Sequence, residues 1–82
     1  MKQTHHTVFL QALGSRLRDL RRLRGLSQEE LAWKADVELS QISRIERGVI
    51  NTSIGQLLNI VDALDISLTE FFAFDQSVAG KP

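Results

Sequence analysis

The chain has 82 residues, 43 % of them hydrophobic and one of them proline, which is room for one domain with one modest core. It has no cysteine, which excludes disulfides, thiolate metal sites and a cysteine nucleophile, and fits a reducing, cytoplasmic setting. The formal net charge is zero, so the chain is no bulk polycation, and its longest apolar runs are far too short to span a bilayer.

Residues 1–7 carry no core pattern and are expected to form a mobile arm. The opening MKQTHHTVFLQALG is too briefly apolar, and too soon interrupted by Gln11, to read as a signal peptide. From Val8 to Arg24, the side chains of Leu10, Leu13, Leu17, Leu20 and Arg21 recur at steps of three and four, which is one face of a helix. Arg24-Gly25 ends it, with a cation in the last turn and then a glycine suited to a left-handed cap. Ser27 followed by Glu30 is a capping box opening a helix over 28–35, and Leu26 can staple it by packing on Leu31. Asp36 falls in the next turn, where Asp tolerates unusual backbone angles, and Val37 plugs the corner. A helix over 39–47 follows, with Ile42 and Ile45 inward. Ser53 with Gln56 opens a helix over 54–64 that buries Ile54, Leu57, Leu58, Val61 and Leu64 by spacing. Ser67 with Glu70, and Ile66 stapled to Phe71, open a last helix over 68–74. Residues 76–82 lack a core pattern and are expected to form a mobile tail. No stretch alternates with period two for long enough to argue a strand. The expectation is all-α: a compact five-helix domain over 8–75, with helices two and three forming a helix-turn-helix.

Charge is uneven along this neutral chain. Residues 1–48 hold nine of the ten Lys and Arg against six of the ten acids; residues 49–82 hold one base and four acids. Such asymmetry can leave one basic face, or simply charges on solvated helix faces.

These segments resemble the XRE-type family of helix-turn-helix DNA-binding domains, the type of Cro and the phage repressors, whose fold is this compact five-helix repressor-type domain. LGSRLRDLRRLRGLSQEELA resembles the family's first helix and the start of its second, ISRIERG the end of its recognition helix, and NTSIGQLLNIVDALDISLTEFF its fourth and fifth helices. The resemblance runs from about Leu13 to Phe72. Short single-domain members include restriction-modification controller proteins, phage repressors and antitoxin-type autoregulators. The chain departs from the family pattern at Glu38, where members often cap the recognition helix with Ser or Thr, and at Leu39, often polar or basic. It departs again at Thr52, often Pro, and at Val49 and Ile50, in a loop that is often basic.

A major-groove helix needs exposed side chains near its N-terminal end. Leu39, Ser40, Ser43 and Arg44 meet that requirement, because Ile42 and Ile45 fix which side is inward. Local packing is the alternative for Leu39, and a backbone contact the alternative for Arg44. Gln28 opens a helix whose N-terminus favours a phosphate, and the resemblance implies that it clamps one. Gln41, Arg47, Asn51 and Thr52 are further phosphate candidates. Trp33 either borders the DNA backbone or packs on the first helix. The resemblance also implies an ion pair between Arg21 and Glu46. Phe71 is used by its staple, which leaves Phe72 or Phe74 with Leu68, Ile60 and Ile50 as apolar surface for a homodimer contact. The expected function is a sequence-specific transcriptional regulator that binds inverted-repeat operator DNA as a dimer. The alternative is an antitoxin-type module that neutralises a protein partner. No enzyme chemistry is expected, since no clustered His and carboxylate pattern or phosphate loop is present. His5 and His6 lack further ligands, so no metal is expected, nor any cofactor, small-molecule ligand or membrane.

Overall fold

The computed structural model describes residues 4–74, and its helices are α1 (Thr4–Leu23), α2 (Gln28–Ala35), α3 (Leu39–Arg47), α4 (Ile54–Ala63) and α5 (Leu68–Phe71). No strand occurs among the described residues. The all-α expectation therefore stands. α1 begins at Thr4 and not at Val8, so part of the expected N-terminal arm is helical. Nothing from Thr4 to Thr7 breaks a helix, and extending a formed helix by non-Gly, non-Pro residues costs little per residue. α5 stops at Phe71, with Phe72 as its cap. The tail 76–82 lies outside the described residues.

One device closes four of the five helices. Gly25, Asp36, Gly48 and Asp65 all take positive φ. The next N–H then turns back on the helix: Leu26 to the Arg21 carbonyl at 3.1 Å, Val37 to Ala32 at 3.0 Å, Val49 to Arg44 at 3.1 Å and Ile66 to Val61 at 3.3 Å. This closure satisfies carbonyls the helix end leaves open. Leu26, Val37 and Ile66 also pack on the core. Leu26 and Ile66 directly precede the N-cap serines Ser27 and Ser67, so one apolar side chain ends one helix and anchors the start of the next. Both serines form complete capping boxes. Ser53 accepts from the Gln56 N–H, but the Gln56 side chain turns elsewhere.

The core joins Leu13 and Leu17 of α1, Leu31, Ala32 and Ala35 of α2, Ile42 and Ile45 of α3, four residues of α4 and its cap, and Phe71. Those four are Leu57, Ile60, Val61 and Leu64. The α4 stripe is thus rotated from the one its spacing suggested: Ile54 is 71 % exposed and Leu58 39 % exposed, while Ile60 is fully buried. Ile60 accordingly leaves the set of interface candidates, because a side chain closed inside the protomer has no surface to offer a second copy. With six apolar residues among its ten, α4 allowed more than one stripe, and packing on α2 and α5 chose between them.

α1 crosses α3 closely. A Cβ placed on Gly14 would strike the Ile45 carbonyl oxygen and lie 2.6 Å from that of Glu46. Gly48, just past α3, meets the Gln11 backbone in the same way, a Cβ there falling 2.7 Å from the Gln11 Cα. The two glycines let the backbones of α1 and the end of α3 touch.

Candidate nucleic-acid interface

The turn between α2 and α3 is built on Asp36, at φ 56° and ψ 47°. It ends α2 sharply and lets Val37 reach the core. Glu38 is the N-cap of α3 and makes no side-chain capping bond. Ile42 and Ile45 are 0 % and 1 % exposed, which pins the rotation of α3. The opposite side follows by helical geometry. Leu39 is 41 % exposed, Ser40 and Arg44 are exposed, and Ser43 is half-buried. Arg44 and Arg47 have no hydrogen-bond or ion-pair partner among the described residues.

Behind this helix stands a charge network. Glu46 is buried on α3, and Arg21 reaches it from α1 with two bonds, Nε to Oε2 at 2.6 Å and Nη2 to Oε1 at 3.0 Å. Arg21 Nη1 also donates to the Leu26 carbonyl at 2.8 Å. The expected pair is present in this geometry. Gln28 Nε2 donates to the same Oε1 at 2.9 Å, and Arg18 Nε lies 3.6 Å from it. Burial pushes the Glu46 carboxyl up, but bonds from Arg21 and Gln28 and the nearby guanidinium charges outweigh it and hold the group below the ordinary carboxylate range. The bond to Glu46 likewise holds Arg21 above its ordinary value, against the effect of burial.

A second polar cluster binds α3 to α4. Gln56 Nε2 donates to Thr52 Oγ1 at 2.9 Å and to Gln41 Oε1 at 3.3 Å. Gln41 and Thr52 are therefore half-buried and held in place, whereas Arg47 and Asn51 are exposed. Sequence reasoning missed the link, because the capping-box spacing had already assigned the Gln56 side chain a different bond.

It also missed what the arginines do. Arg16 donates to the Glu70 and Phe71 carbonyls, and Arg24 to the Leu64 carbonyl at 2.7 Å and the Asp65 carbonyl at 3.3 Å. With Arg21, these arginines, two on α1 and one just past its end, serve the fold, tying this segment to α3 and to the ends of α4 and α5. The basic excess of the N-terminal half is correspondingly less available to a ligand. Trp33 is 85 % exposed, which removes the reading that packs it on α1.

Residues 12–72 match the helix-turn-helix domain family, three quarters of the chain. The chain belongs to the helix-turn-helix domain family. It is an XRE-type domain by its five helices and its match to controller-protein folds. The restriction-modification controller protein C.AhdI of Aeromonas hydrophila superposes with a TM-score of 0.75 at 43 % identity, over 77 % of this chain and 96 % of that one. The controller protein C.Esp1396I gives 0.74 at 33 % identity, over 78 % of this chain and 84 % of that one. The HTH-type transcriptional regulator PuuR of Escherichia coli is 36 % identical over 62 residues, 76 % of this chain and 34 % of that protein. An HTH-type transcriptional regulator of Rickettsia conorii is 35 % identical over 60 residues, 73 % of this chain and 48 % of that protein. The chain thus spans just under half the length of this Rickettsia relative. No helix among the described residues is long and apolar enough to cross a membrane.

Proposed function

We propose that this domain binds operator DNA as a two-fold dimer and regulates transcription by occupying it. The observation that carries this reading is the orientation of α3: Ile42 and Ile45 are closed into the core, so Leu39, Ser40, Ser43 and Arg44 are left for base edges in the major groove. Arg44 can grip guanine with two donors, Ser40 and Ser43 can donate or accept, and Leu39 can touch a thymine methyl. Gln41 and Arg47 on α3, with Gln28, Asn51 and Thr52 on the segments next to it, are the phosphate contacts that set register. The names of the relatives, transcriptional regulators and controller proteins, support the same reading.

The dimer is supported by apolar side chains that one copy leaves in solvent. Ile54 and Leu58 are four residues apart on one side of α4, and Leu68 is 40 % exposed at the start of α5. Phe72 and Phe74 are half-buried, with ring centroids 6.1 Å apart, and Phe74 lies 6.2 Å from Phe9. The contact then comprises Leu68, Phe72 and Phe74, joined by Ile54 and Leu58.

Selection of bound sites from random duplexes tests the reading. Recovery of an inverted repeat with half-sites about one helical turn, roughly 34 Å, apart supports it. Recovery of isolated half-sites overturns the dimer, and no enrichment of any sequence overturns the operator reading.

A further inference from the structure

Glu46 gathers more cation than it can neutralise. Its one negative charge faces two guanidinium groups, those of Arg21 and Arg18. Arg21 is closed in and doubly bonded, and Gln28 completes the donors on Oε1. Arg18 is different. Its Nε is 3.6 Å from Oε1, an ion-pair distance and not a hydrogen bond, and its side chain keeps 38 % of its surface while that of Glu46 keeps none. The carboxylate is satisfied without it. Arg18 therefore supplies a surplus positive charge on a side chain that stays partly open to solvent.

Its position gives that charge a use. Arg18 and Gln28 come from different helices, yet both heads converge on the same oxygen of Glu46. Gln28 is the first residue of α2, an eight-residue helix whose Glu30 is turned back onto the Ser27 N–H. We propose that Arg18 is a DNA-backbone contact, seated by Glu46 beside Gln28 so that one neutral and one charged donor clamp the same stretch of phosphates. This rests on the DNA-binding reading above and adds to it a residue on α1. The carboxylate restrains the guanidinium before binding, so less side-chain freedom is lost in the complex.

The test is the salt dependence of duplex binding by the full chain, on the selected operator and on a random duplex. Each neutralised phosphate contributes about 0.9 to the slope of log affinity against log salt. Arg18→Gln should lower that slope by about 0.9 for each protomer bound, on both duplexes. Arg18→Lys should retain the slope, and Gln28→Ala should weaken binding while leaving the slope intact. Melting curves of each variant check that the fold is kept; in Arg18→Gln the Glu46 carboxylate retains its two Arg21 bonds and the Gln28 bond. A slope unchanged in Arg18→Gln overturns this contact and leaves operator binding standing. A wild-type chain that binds no duplex overturns both.

Discussion

Arg21 on α1 and Glu46 on α3, 25 residues apart, are joined by two side-chain bonds of 2.6 and 3.0 Å, and neither residue exposes more than 8 % of its surface. Removing one partner strands a buried charge and should cost about 3–5 kcal/mol. Arg21→Ala and Glu46→Ala should therefore melt well below wild type. The apolar pair Arg21→Met with Glu46→Leu should recover much of the loss, because replacing both charges removes both desolvation penalties. Thermal unfolding followed by circular dichroism checks this, and single variants that melt like wild type would refute a buried pair.

The same carboxyl makes stability depend on pH. Glu46 titrates lower in the folded chain than its ordinary, unfolded value. Its contribution is thus fully present above that unfolded value and is lost as pH falls through the lower folded one. Glu46→Gln should be less stable than wild type at neutral pH and should lose less stability across the acid range. Urea midpoints measured from pH 7 to pH 3 provide the comparison; parallel curves would show that Glu46 is not the group responsible.

Gly14 supplies a test with an inverted sign. Gly→Ala inside a helix ordinarily stabilises by about 1 kcal/mol. Here the added methyl would strike the Ile45 and Glu46 carbonyls, backbone atoms that yield little. Gly14→Ala should instead destabilise, by about 1–3 kcal/mol. Denaturant midpoints decide, and a stabilised variant would mean that α1 and α3 can separate freely.

Base reading and phosphate holding should part company in binding titrations. Arg44→Ala and Ser40→Ala should weaken operator binding more than binding to random duplex, a bidentate base contact being worth about 1–3 kcal/mol of discrimination. Gln28→Ala should weaken both together, since phosphates carry no direct sequence information. Equal losses on both duplexes for Arg44 and Ser40 would remove them from the base-reading set.

Self-association should be breakable without harming the fold. Ile54→Glu and Leu58→Glu place charge on exposed positions of α4, so the monomer should melt nearly as wild type does. Sedimentation across micromolar concentrations should show wild-type dimers and variant monomers. A wild type that is monomeric throughout would refute the dimer.

Local chemistry was legible in the sequence because it acts over a few residues. Ser27 with Glu30, Ser67 with Glu70, the Gly25 stop and Asp36 each specify a helix end through bonds reaching no further than a turn, and the structure has all of them. The inward pair Ile42 and Ile45 likewise oriented α3 from spacing alone. What depended on a distant neighbour could not be read in this way. The chain of apolar residues in α4 permitted two stripes, and only packing against α2 and α5 buried Ile60 and left Ile54 and Leu58 in solvent. Gln56 has the spacing of a capping residue, yet Thr52 and Gln41 stood within reach and took its amide. Nothing local distinguishes Arg16 and Arg24, which close distant helix ends, from Arg18, which keeps a free face. The residue types and helix ends follow from bonds along the chain. Which charges the fold uses, and which it leaves for a partner, is decided by which carbonyls and carboxylates the tertiary structure brings to each side chain.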